Sequence, residues 1–280
     1  MPEGPEIRRA ADQVEQAIAG QPVVEVAFGL QRLQRWRGAF SGSRVQRVET
    51  RGKAMLTRFD NGLSIYSHNQ LYGRWICHAA DETPDTRRQL RLAIRTGERQ
   101  ASLYSASDID VLTDAEIERH PFLRKLGPDV LSDDLSAGQL VARLLSARFR
   151  NRQLGSLLTD QSFVAGLGNY LRCEILFSCA LLPAVRPVAL DTAALRGLAA
   201  EILRLPRQSY ASGGITNDLD FARRSMAQGA SFEQARFQVF RREGLPCYRC
   251  GAIIQKQAAG GQACFFCPGC QFQAIVASAQ

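Results

Sequence analysis

Residues 247–250 read Cys-Tyr-Arg-Cys and residues 267–270 read Cys-Pro-Gly-Cys, so two Cys-x-x-Cys knuckles stand sixteen residues apart near the end of the chain. Two knuckles at this separation bring four thiolates together in the tetrahedral arrangement of a structural zinc site. The alternative is a redox pair, but paired knuckles are more specific than a single one. Cys264 lies three residues before the second knuckle, so its spacing also lets it compete as a ligand. We predict one structural zinc ion with four ligands: Cys247, Cys250, Cys267 and Cys270.

The 280-residue chain is long enough for about two domains. Its formal charge of +8, from 35 basic and 27 acidic residues, favours a polyanionic partner such as nucleic acid. A solubilising surface charge is the other explanation. The sequence contains no apolar run long enough to cross a bilayer and no signal-peptide core. We therefore expect a cytoplasmic protein without a membrane partner, whose cysteines do not form disulfides.

The first six residues, Met-Pro-Glu-Gly-Pro-Glu, place a proline directly after the initiator methionine. Because proline is small, removal of the methionine leaves a secondary amine at Pro2, flanked by Glu3 and Glu6. An α-amino group titrates near ~8, against ~10.4 for a lysine, so more of it is uncharged and nucleophilic at neutral pH. A secondary amine attacks an aldehyde to form an iminium, and carboxylates move the protons that this reaction requires. The alternative is a frayed terminus without a function.

The pattern of apolar residues predicts a helix followed by a β-rich half. Residues 5–19 carry apolar side chains at helical spacing, and Gly20 and Pro22 end this helix. From Val23 to Tyr104, short β-rich runs alternate with turn residues, which predicts a β-sandwich or barrel. The predicted strands are residues 23–28, 44–50, 54–59, 64–68, 74–78, 90–95 and 101–105.

Helical periodicity returns after about residue 113. A domain boundary is predicted near residues 125–135, around Gly127 and Pro128. The polar, glycine-containing stretch 210–228 is predicted to be a mobile loop. The predicted helices are residues 136–145, 153–158, 170–181 and 190–203, the last of them closed by Pro206.

Three short motifs carry candidate functional groups. The Lys53 amine follows a strand and Gly52, where it either projects from a sheet edge or is an ordinary surface lysine. The loop of residues 67–73 mixes amide, aliphatic and aromatic side chains, which either wedge into a base stack or pack inward. Two glycines precede Asn169, the predicted N-cap of a helix that begins at Tyr170. The amides there can bind a phosphate, although a capped helix without a ligand is also plausible.

These motifs together resemble the formamidopyrimidine-DNA glycosylase and endonuclease VIII family, over essentially the whole chain. The formamidopyrimidine branch typically has a methionine-containing loop where this chain has Asn69-Gln70-Leu71-Tyr72. The chain therefore resembles the endonuclease VIII branch, bacterial enzymes that act on oxidised pyrimidines. The segments that carry the resemblance are residues 2–10, 49–53, 67–73, 120–123, 127–131 and 166–171, with the zinc module.

The resemblance implies an α+β fold. An N-terminal β-sandwich with flanking helices, residues 1–126, is expected to precede a helical helix–two-turn–helix domain, residues 127–230, and a C-terminal β-hairpin zinc finger, residues 231–280. The implied function is that of a bifunctional DNA glycosylase and AP lyase of base excision repair. Its partner would be double-stranded DNA containing oxidised bases or abasic sites. A monomer in the bacterial cytosol or nucleoid is the family expectation.

The resemblance also assigns roles to individual residues. Pro2 would attack C1′ of the damaged nucleotide, Glu3 would act as general acid and base, and Lys53 would contact the lesion phosphate and serve in β-elimination. Two further acidic residues match positions around the family's active site: Glu6 and Glu174. The expected DNA-binding residues are Gln70, Leu71 and Tyr72, which would fill the hole left by the everted base, together with Lys125, Asn169 and Gln262.

Two positions depart from the family pattern. Gln262 stands where the family has an arginine that contacts the lesion phosphate and helps δ-elimination. Glutamine brings no charge, and a lost charge-assisted contact costs about 1.5–3 kcal/mol. Lys125 stands where endonuclease VIII usually has an arginine, so a bidentate contact is lost there while the charge is kept. The first departure puts δ-elimination and the efficiency of the lyase step in doubt and leaves base excision largely untouched, because Pro2 and Glu3 are present.

Three other functions explain part of the sequence. A formamidopyrimidine-type enzyme for oxidised purines would share the fold and the N-terminal motif. A non-catalytic protein that binds lesions or abasic sites would account for Gln262. A zinc-ribbon transcription factor would explain the charge and the cysteines but not Pro2 and Glu3.

Overall fold

The computed structural model describes residues 2–272, so the end of the predicted zinc module, 273–280, lies outside the described residues. The chain divides into two compact units, the first ending at Lys125 and the second beginning at Leu126. The further division at residue 230 stays a prediction. Among residues 2–272, no helix combines the length and apolar character that a bilayer crossing requires.

The first unit begins with helix α1, Gly4–Ile18. Glu3 occupies the N-cap position, and a capping box forms in which its side chain and that of Glu6 each accept a backbone N–H of the other residue. Pro5 suits the first turn because the N–H that it lacks would have no helical partner. The buried face of α1 carries Ile7, Ala11, Val14 and Ile18. The capping box therefore fixes the first residues of the chain against a buried helix.

Two four-stranded antiparallel sheets complete the first unit as a β-sandwich. One has the order β1-β6-β7-β5 and the other the order β2-β3-β4-β8, and their apolar side chains share one core with α1. The strands are β1 Glu25–Phe28, β2 Val45–Arg51, β3 Ala54–Phe59, β4 Leu63–His68, β5 Arg74–Ala79, β6 Leu90–Arg95, β7 Arg99–Tyr104 and β8 Asp108–Thr113. The predicted sandwich is confirmed, with one strand, β8, that the sequence analysis missed. A short helix, α2 Asp114–Arg119, follows β8.

The second unit is helical at first and ends in a β-hairpin. Its helices are α3 Ala137–Leu145, α4 Leu154–Leu157, α5 Asn169–Ser178, α6 Thr192–Ser212, α7 Leu219–Ala227 and α8 Phe232–Ala235. Strands β9 Gln255–Ala259 and β10 Gln262–Phe266 pair antiparallel across a turn of two glycines with φ of +57° and +74°. This order confirms the predicted helical segment followed by a hairpin zinc module.

Two predictions for the second unit are wrong. Helix α6 does not end before Pro206 but continues to Ser212, because Pro206 is buried on the core-facing side, where packing offsets the lost hydrogen bond. The stretch 210–228 is not a continuous loop. Asp218 accepts a hydrogen bond from the backbone N–H of Phe221 at 2.7 Å, and this cap starts α7 in a polar sequence.

Candidate active site and nucleic-acid interface

The structure brings three of the predicted catalytic residues together at the start of α1. Pro2 directly precedes the Glu3 N-cap, and the Glu3 side chain is only 2% exposed. The Glu3 backbone N–H donates to Glu6 Oε2 at 3.0 Å. Both carboxylates therefore lie at the positive end of the helix dipole. A carboxylate held in this way is placed to exchange protons with groups that react at residue 2.

Lys53 belongs to the same cluster and is not a solvated surface lysine. It follows Gly52, whose φ of +63° allows the tight turn between β2 and β3, and its side chain is 7% exposed. Burial lowers the pKa of the Lys53 ammonium, while the charges of Glu3 and Glu6 oppose that shift. The opposing charges show that the amine lies within electrostatic reach of both carboxylates. A buried amine of lowered pKa gives up its proton more readily than a surface lysine does.

The lowered pKa of Lys53 has a consequence for stability. The charged amine is less favourable in the folded chain than in the unfolded chain, so it destabilises the fold at every pH below its lowered pKa. Because the burial of the Lys53 charge outweighs its attraction to Glu3 and Glu6, we expect Lys53→Met to be at least as stable as the wild type at pH 7. The difference in the free energy of unfolding between the wild type and Lys53→Met should narrow as the pH approaches the ordinary lysine pKa. Urea denaturation at pH 7 and pH 10 measures the free energy of unfolding of the wild type and the variant. A variant that is less stable than the wild type at pH 7 would show that the attraction of Lys53 to Glu3 and Glu6 outweighs its burial.

The predicted wedge loop, residues 67–73, points its apolar side chains outward. Leu71 is 60% exposed and Tyr72 is 70% exposed, so the inward-packed alternative is wrong. The loop is nevertheless tight, because the Gly73 N–H donates to the Asn69 carbonyl at 2.7 Å. A Cβ atom at Gly73 would lie 2.6 Å from the Asn69 Cα, so only glycine fits there. Two apolar side chains held in solvent on a closed loop are suited to entering a base stack.

His68, which the sequence analysis left without a role, anchors this loop. Its Nδ1 accepts the backbone N–H of Gln70 at 3.1 Å, so the ring proton is on Nε2. Burial lowers the pKa of His68; the charge of Asp108 opposes this shift and that of Lys53 adds to it. The neutral ring thereby holds Gln70, whose φ is +50°, in place. His68 ends β4 and lies within the motif of residues 67–73, and this position is the sequence signal that identifies it.

The side chain of Gln70 is held by Ser107. The Ser107 hydroxyl donates to Gln70 Oε1 at 3.2 Å, which leaves the Gln70 amide NH₂ available as a donor. Ser107 lies just before β8, the strand that the sequence analysis missed. The exposed amide and the two exposed apolar side chains therefore form one surface of the first unit.

Glu174, predicted near the active site, lies in the second unit and is fully buried in α5. Its carboxylate accepts the Thr216 hydroxyl at 2.9 Å and three consecutive backbone N–H groups, those of residues 238, 239 and 240, at 2.9, 2.9 and 3.0 Å. Burial raises the pKa of Glu174, and these hydrogen bonds oppose the shift. Within its own unit the carboxylate thus organises backbone. Its catalytic role stays a prediction.

Asn169 does not act as the predicted N-cap. Helix α5 begins at Asn169 itself, and Gly168 occupies the cap position without a side-chain hydrogen bond. The Asn169 carboxamide oxygen instead accepts from Arg172, one turn further along the helix. The half-buried Asn169 nevertheless lies at the positive end of the α5 dipole, which favours a negatively charged group.

The two residues that depart from the family pattern differ in their surroundings. Lys125 is exposed at the end of the first unit. Gln262 opens β10 opposite Ala259 and is half-buried, and its Oε1 has no hydrogen-bond partner among residues 2–272. An amide in this state can take a polar ligand without first breaking an internal hydrogen bond at that oxygen.

The four predicted zinc ligands converge in the second unit. The Sγ atoms of Cys247, Cys250, Cys267 and Cys270 all lie within 4.8 Å of one another. Tetrahedral coordination at about 2.3 Å per sulfur requires sulfur–sulfur distances of about 3.8 Å. The Cys247–Cys270 distance is 3.8 Å and the Cys250–Cys267 distance is 3.4 Å, so the four thiolates fit one structural zinc ion.

Cys264 is not part of this cluster. It is buried and points to α5, where its Sγ lies 3.8 Å from the Sγ of Cys173. Cys264 lies within β10 and packs against Cys173, whereas Cys267 follows the end of that strand, so Cys264 lies apart from the four zinc ligands.

Comparisons with known proteins agree with the family resemblance that the sequence motifs show. The profile of the formamidopyrimidine-DNA glycosylase N-terminal domain matches residues 1–106. The proteins named Endonuclease 8 from Klebsiella pneumoniae and Escherichia coli are each 48% identical over 271 residues, which covers 97% of this chain and 100% of theirs.

Solved structures share the fold. Lactococcus lactis Fpg in complex with DNA that contains an abasic site aligns with a TM-score of 0.79 at 20% identity, over 97% of this chain and 100% of that one. The same protein in complex with DNA that contains an oxidised pyrimidine aligns over the same shares with a TM-score of 0.80 at 21% identity. With relatives at 48% identity over almost its whole length, the chain belongs to the formamidopyrimidine-DNA glycosylase and endonuclease VIII family.

Proposed function

We propose that this chain is a bifunctional DNA glycosylase and AP lyase of base excision repair that removes oxidised pyrimidines. The Pro2 amine, free after methionine removal, attacks C1′ of the damaged nucleotide, and the base leaves as the C1′–N bond breaks. Opening of the sugar ring then yields an iminium between Pro2 and C1′. Loss of a proton from C2′ expels the 3′ phosphate, which is β-elimination and nicks the strand.

The observation that carries this proposal is the buried cluster at the start of α1. Pro2 adjoins the N-cap carboxylate of Glu3, which is 2% exposed, and the ammonium of Lys53 lies within electrostatic reach of Glu3 and Glu6. Glu3 donates a proton when the sugar ring opens and accepts one in later steps. Lys53 binds the lesion phosphate and assists elimination. A frayed terminus would not hold a buried carboxylate and a buried amine together.

The DNA contacts follow from the exposed groups. Leu71 and Tyr72 fill the gap left by the everted base, and the free NH₂ of Gln70 hydrogen-bonds the base on the other strand. Lys125, Asn169 and Gln262 bind backbone phosphates. Zinc, bound by the four cysteines, stabilises the hairpin that carries Gln262. The partner is damaged double-stranded DNA, bound by a monomer in the bacterial cytosol.

The preference for pyrimidines rests on the loop Asn69-Gln70-Leu71-Tyr72, which lacks the methionine of the formamidopyrimidine branch. The elimination stops at the β stage, because Gln262 brings no positive charge to the phosphate that leaves in δ-elimination. An enzyme for oxidised purines is the second candidate, because a solved Fpg structure with this fold holds DNA that contains FAPY-dG.

A panel of duplexes tests this function in one incubation. The duplexes contain thymine glycol, 8-oxoguanine or an abasic site, and the products are resolved by their end groups on a denaturing gel. We expect cleavage of thymine glycol to exceed that of 8-oxoguanine by about tenfold or more, with 3′ ends from β-elimination. Preferred cleavage of 8-oxoguanine would support the purine enzyme. Binding to abasic DNA without any nick would support a non-catalytic lesion-binding protein.

A further inference from the structure

Arg172 is the largest fully buried side chain of the described residues, with 0% exposure. Its guanidinium donates to four oxygens on four segments of the second unit. They are the carbonyls of Gly155 at 2.8 Å, Ala259 at 2.7 Å and Ala263 at 3.1 Å, and the carboxamide Oδ1 of Asn169. All four acceptors are neutral. Among residues 2–272 Arg172 has no carboxylate partner, and because a buried cation in that state is costly, its presence requires a role.

The bond to Asn169 determines which way that carboxamide faces. With Oδ1 turned toward the guanidinium, the NH₂ group on the other branch of the amide is turned away from it. The opposite orientation would set two donors against each other, which is strongly unfavourable. Arg172 therefore fixes the Asn169 NH₂ on the branch of the carboxamide that faces away from the guanidinium, at the positive end of the α5 dipole.

The hydrogen bonds from Arg172 to the Ala259 and Ala263 carbonyls fix the position of the hairpin turn. Ala259 ends β9 and Ala263 is the second residue of β10, so the two carbonyls that Arg172 binds flank the turn and Gln262. The turn itself is built from two glycines of positive φ and has no side chains to hold it. One guanidinium thus joins the start of α5 to the turn that carries Gln262.

We propose that Arg172 is a positioning residue for the DNA phosphate contact: it orients the Asn169 carboxamide with its NH₂ outward and fixes the turn that carries Gln262 to the start of α5. Arg172 itself, fully buried, touches no DNA. The inference rests on the proposed function, since it assumes that Asn169 binds a phosphate of the lesion strand.

The first test changes Asn169 and leaves Arg172 intact. Asn169→Asp keeps the oxygen that Arg172 binds and replaces the outward NH₂ with a second oxygen, whereas Asn169→Ala removes both. The probe is a duplex with a tetrahydrofuran abasic analogue. We expect Asn169→Asp to weaken binding on the order of tenfold or more, at least as much as Asn169→Ala, while its melting temperature is kept or raised by the new ion pair. Wild-type affinity in Asn169→Asp would overturn the inference.

The second test measures the coupling between the two residues. Arg172→Lys keeps the charge but cannot reach four acceptors, so we expect weaker binding of the same probe and a higher KM with a smaller change in kcat. In the Asn169→Ala background only the turn that carries Gln262 can still be displaced, so the same substitution should change the Kd by a smaller factor than it does in the wild type. Equal effects in both backgrounds would overturn the inference. If Arg172→Lys does not fold, the comparison of Asn169→Asp with Asn169→Ala decides alone.

Borohydride trapping of the wild-type protein on abasic DNA separates this inference from the proposed function. If the wild type forms no adduct, the proposed function fails. If it forms the adduct but Arg172 and Asn169 show no coupling, only the positioning role fails.

Discussion

A chain that keeps one extra residue ahead of Pro2 is expected to form no borohydride-stable adduct with abasic DNA, whereas the processed wild-type chain forms it. The extension turns the Pro2 nitrogen into a tertiary amide, which has no nucleophilic lone pair for C1′. We expect loss of the adduct and of strand nicking below detection, the largest effect of any change proposed for this protein. The measurement is a denaturing gel after reduction, with the mass of each chain's first residue determined in parallel.

The matched control is Pro2→Gly in a chain whose first residue is freed by a protease. This variant keeps a free amine at residue 2, but the amine is primary instead of secondary. We therefore expect a weak adduct in this variant and none in the extended chain. Because the side chain of Glu3 caps α1 from its own position, neither change removes the capping box, and both proteins should melt near the wild type. An extended chain that is trapped as well as the wild type would rule out the Pro2 amine as the nucleophile.

The sequence predicted most of the β-sandwich because its signals are local. Seven strands have β-rich runs bounded by turn residues, and these are visible without any tertiary context. Strand β8 was missed because Asp108 and Asp110 are unfavourable in strands by composition; only the buried Ile109 and Val111 between them show the alternation. Helix α6 was cut short at Pro206 because burial of that proline is a tertiary property that no local rule reports.

The residues of the candidate site also divide into those that a local sequence motif identifies and those that depend on tertiary contacts. Pro2, Glu3 and the zinc cysteines lie in short motifs with fixed spacing, so sequence alone identifies them as candidates. Arg172 was missed because its acceptors come from positions 155, 259 and 263, which are distant in sequence and are backbone atoms. A backbone carbonyl carries no residue identity, so no motif can encode such a partner. Cys264 was ambiguous for a related reason: only the facing Cys173 decides where its sulfur points.

We expect Glu3→Gln to reduce excision of thymine glycol by about 10²–10⁴-fold while cleavage of a preformed abasic site falls much less. Base excision needs a proton donor when the sugar ring opens, whereas an abasic site already supplies the aldehyde that Pro2 attacks. Glutamine keeps an oxygen that accepts the backbone N–H in the capping box, so the fold should lose no more than about 1 kcal/mol. Single-turnover assays on thymine glycol and abasic duplexes measure the two rates, and a thermal melt measures the stability.

We also expect Glu3→Gln to change the pH dependence of abasic-site cleavage. The charge of Glu3 opposes the burial that lowers the pKa of Lys53, so removing this charge lowers that pKa further. The limb of the abasic-cleavage profile that reflects Lys53 should therefore move to lower pH in Glu3→Gln. Equal losses on both substrates, with an unshifted profile, would contradict this role for Glu3. They would mean that Glu3 acts only as the cap of α1, and that the proton which opens the sugar ring comes from another group of the buried cluster.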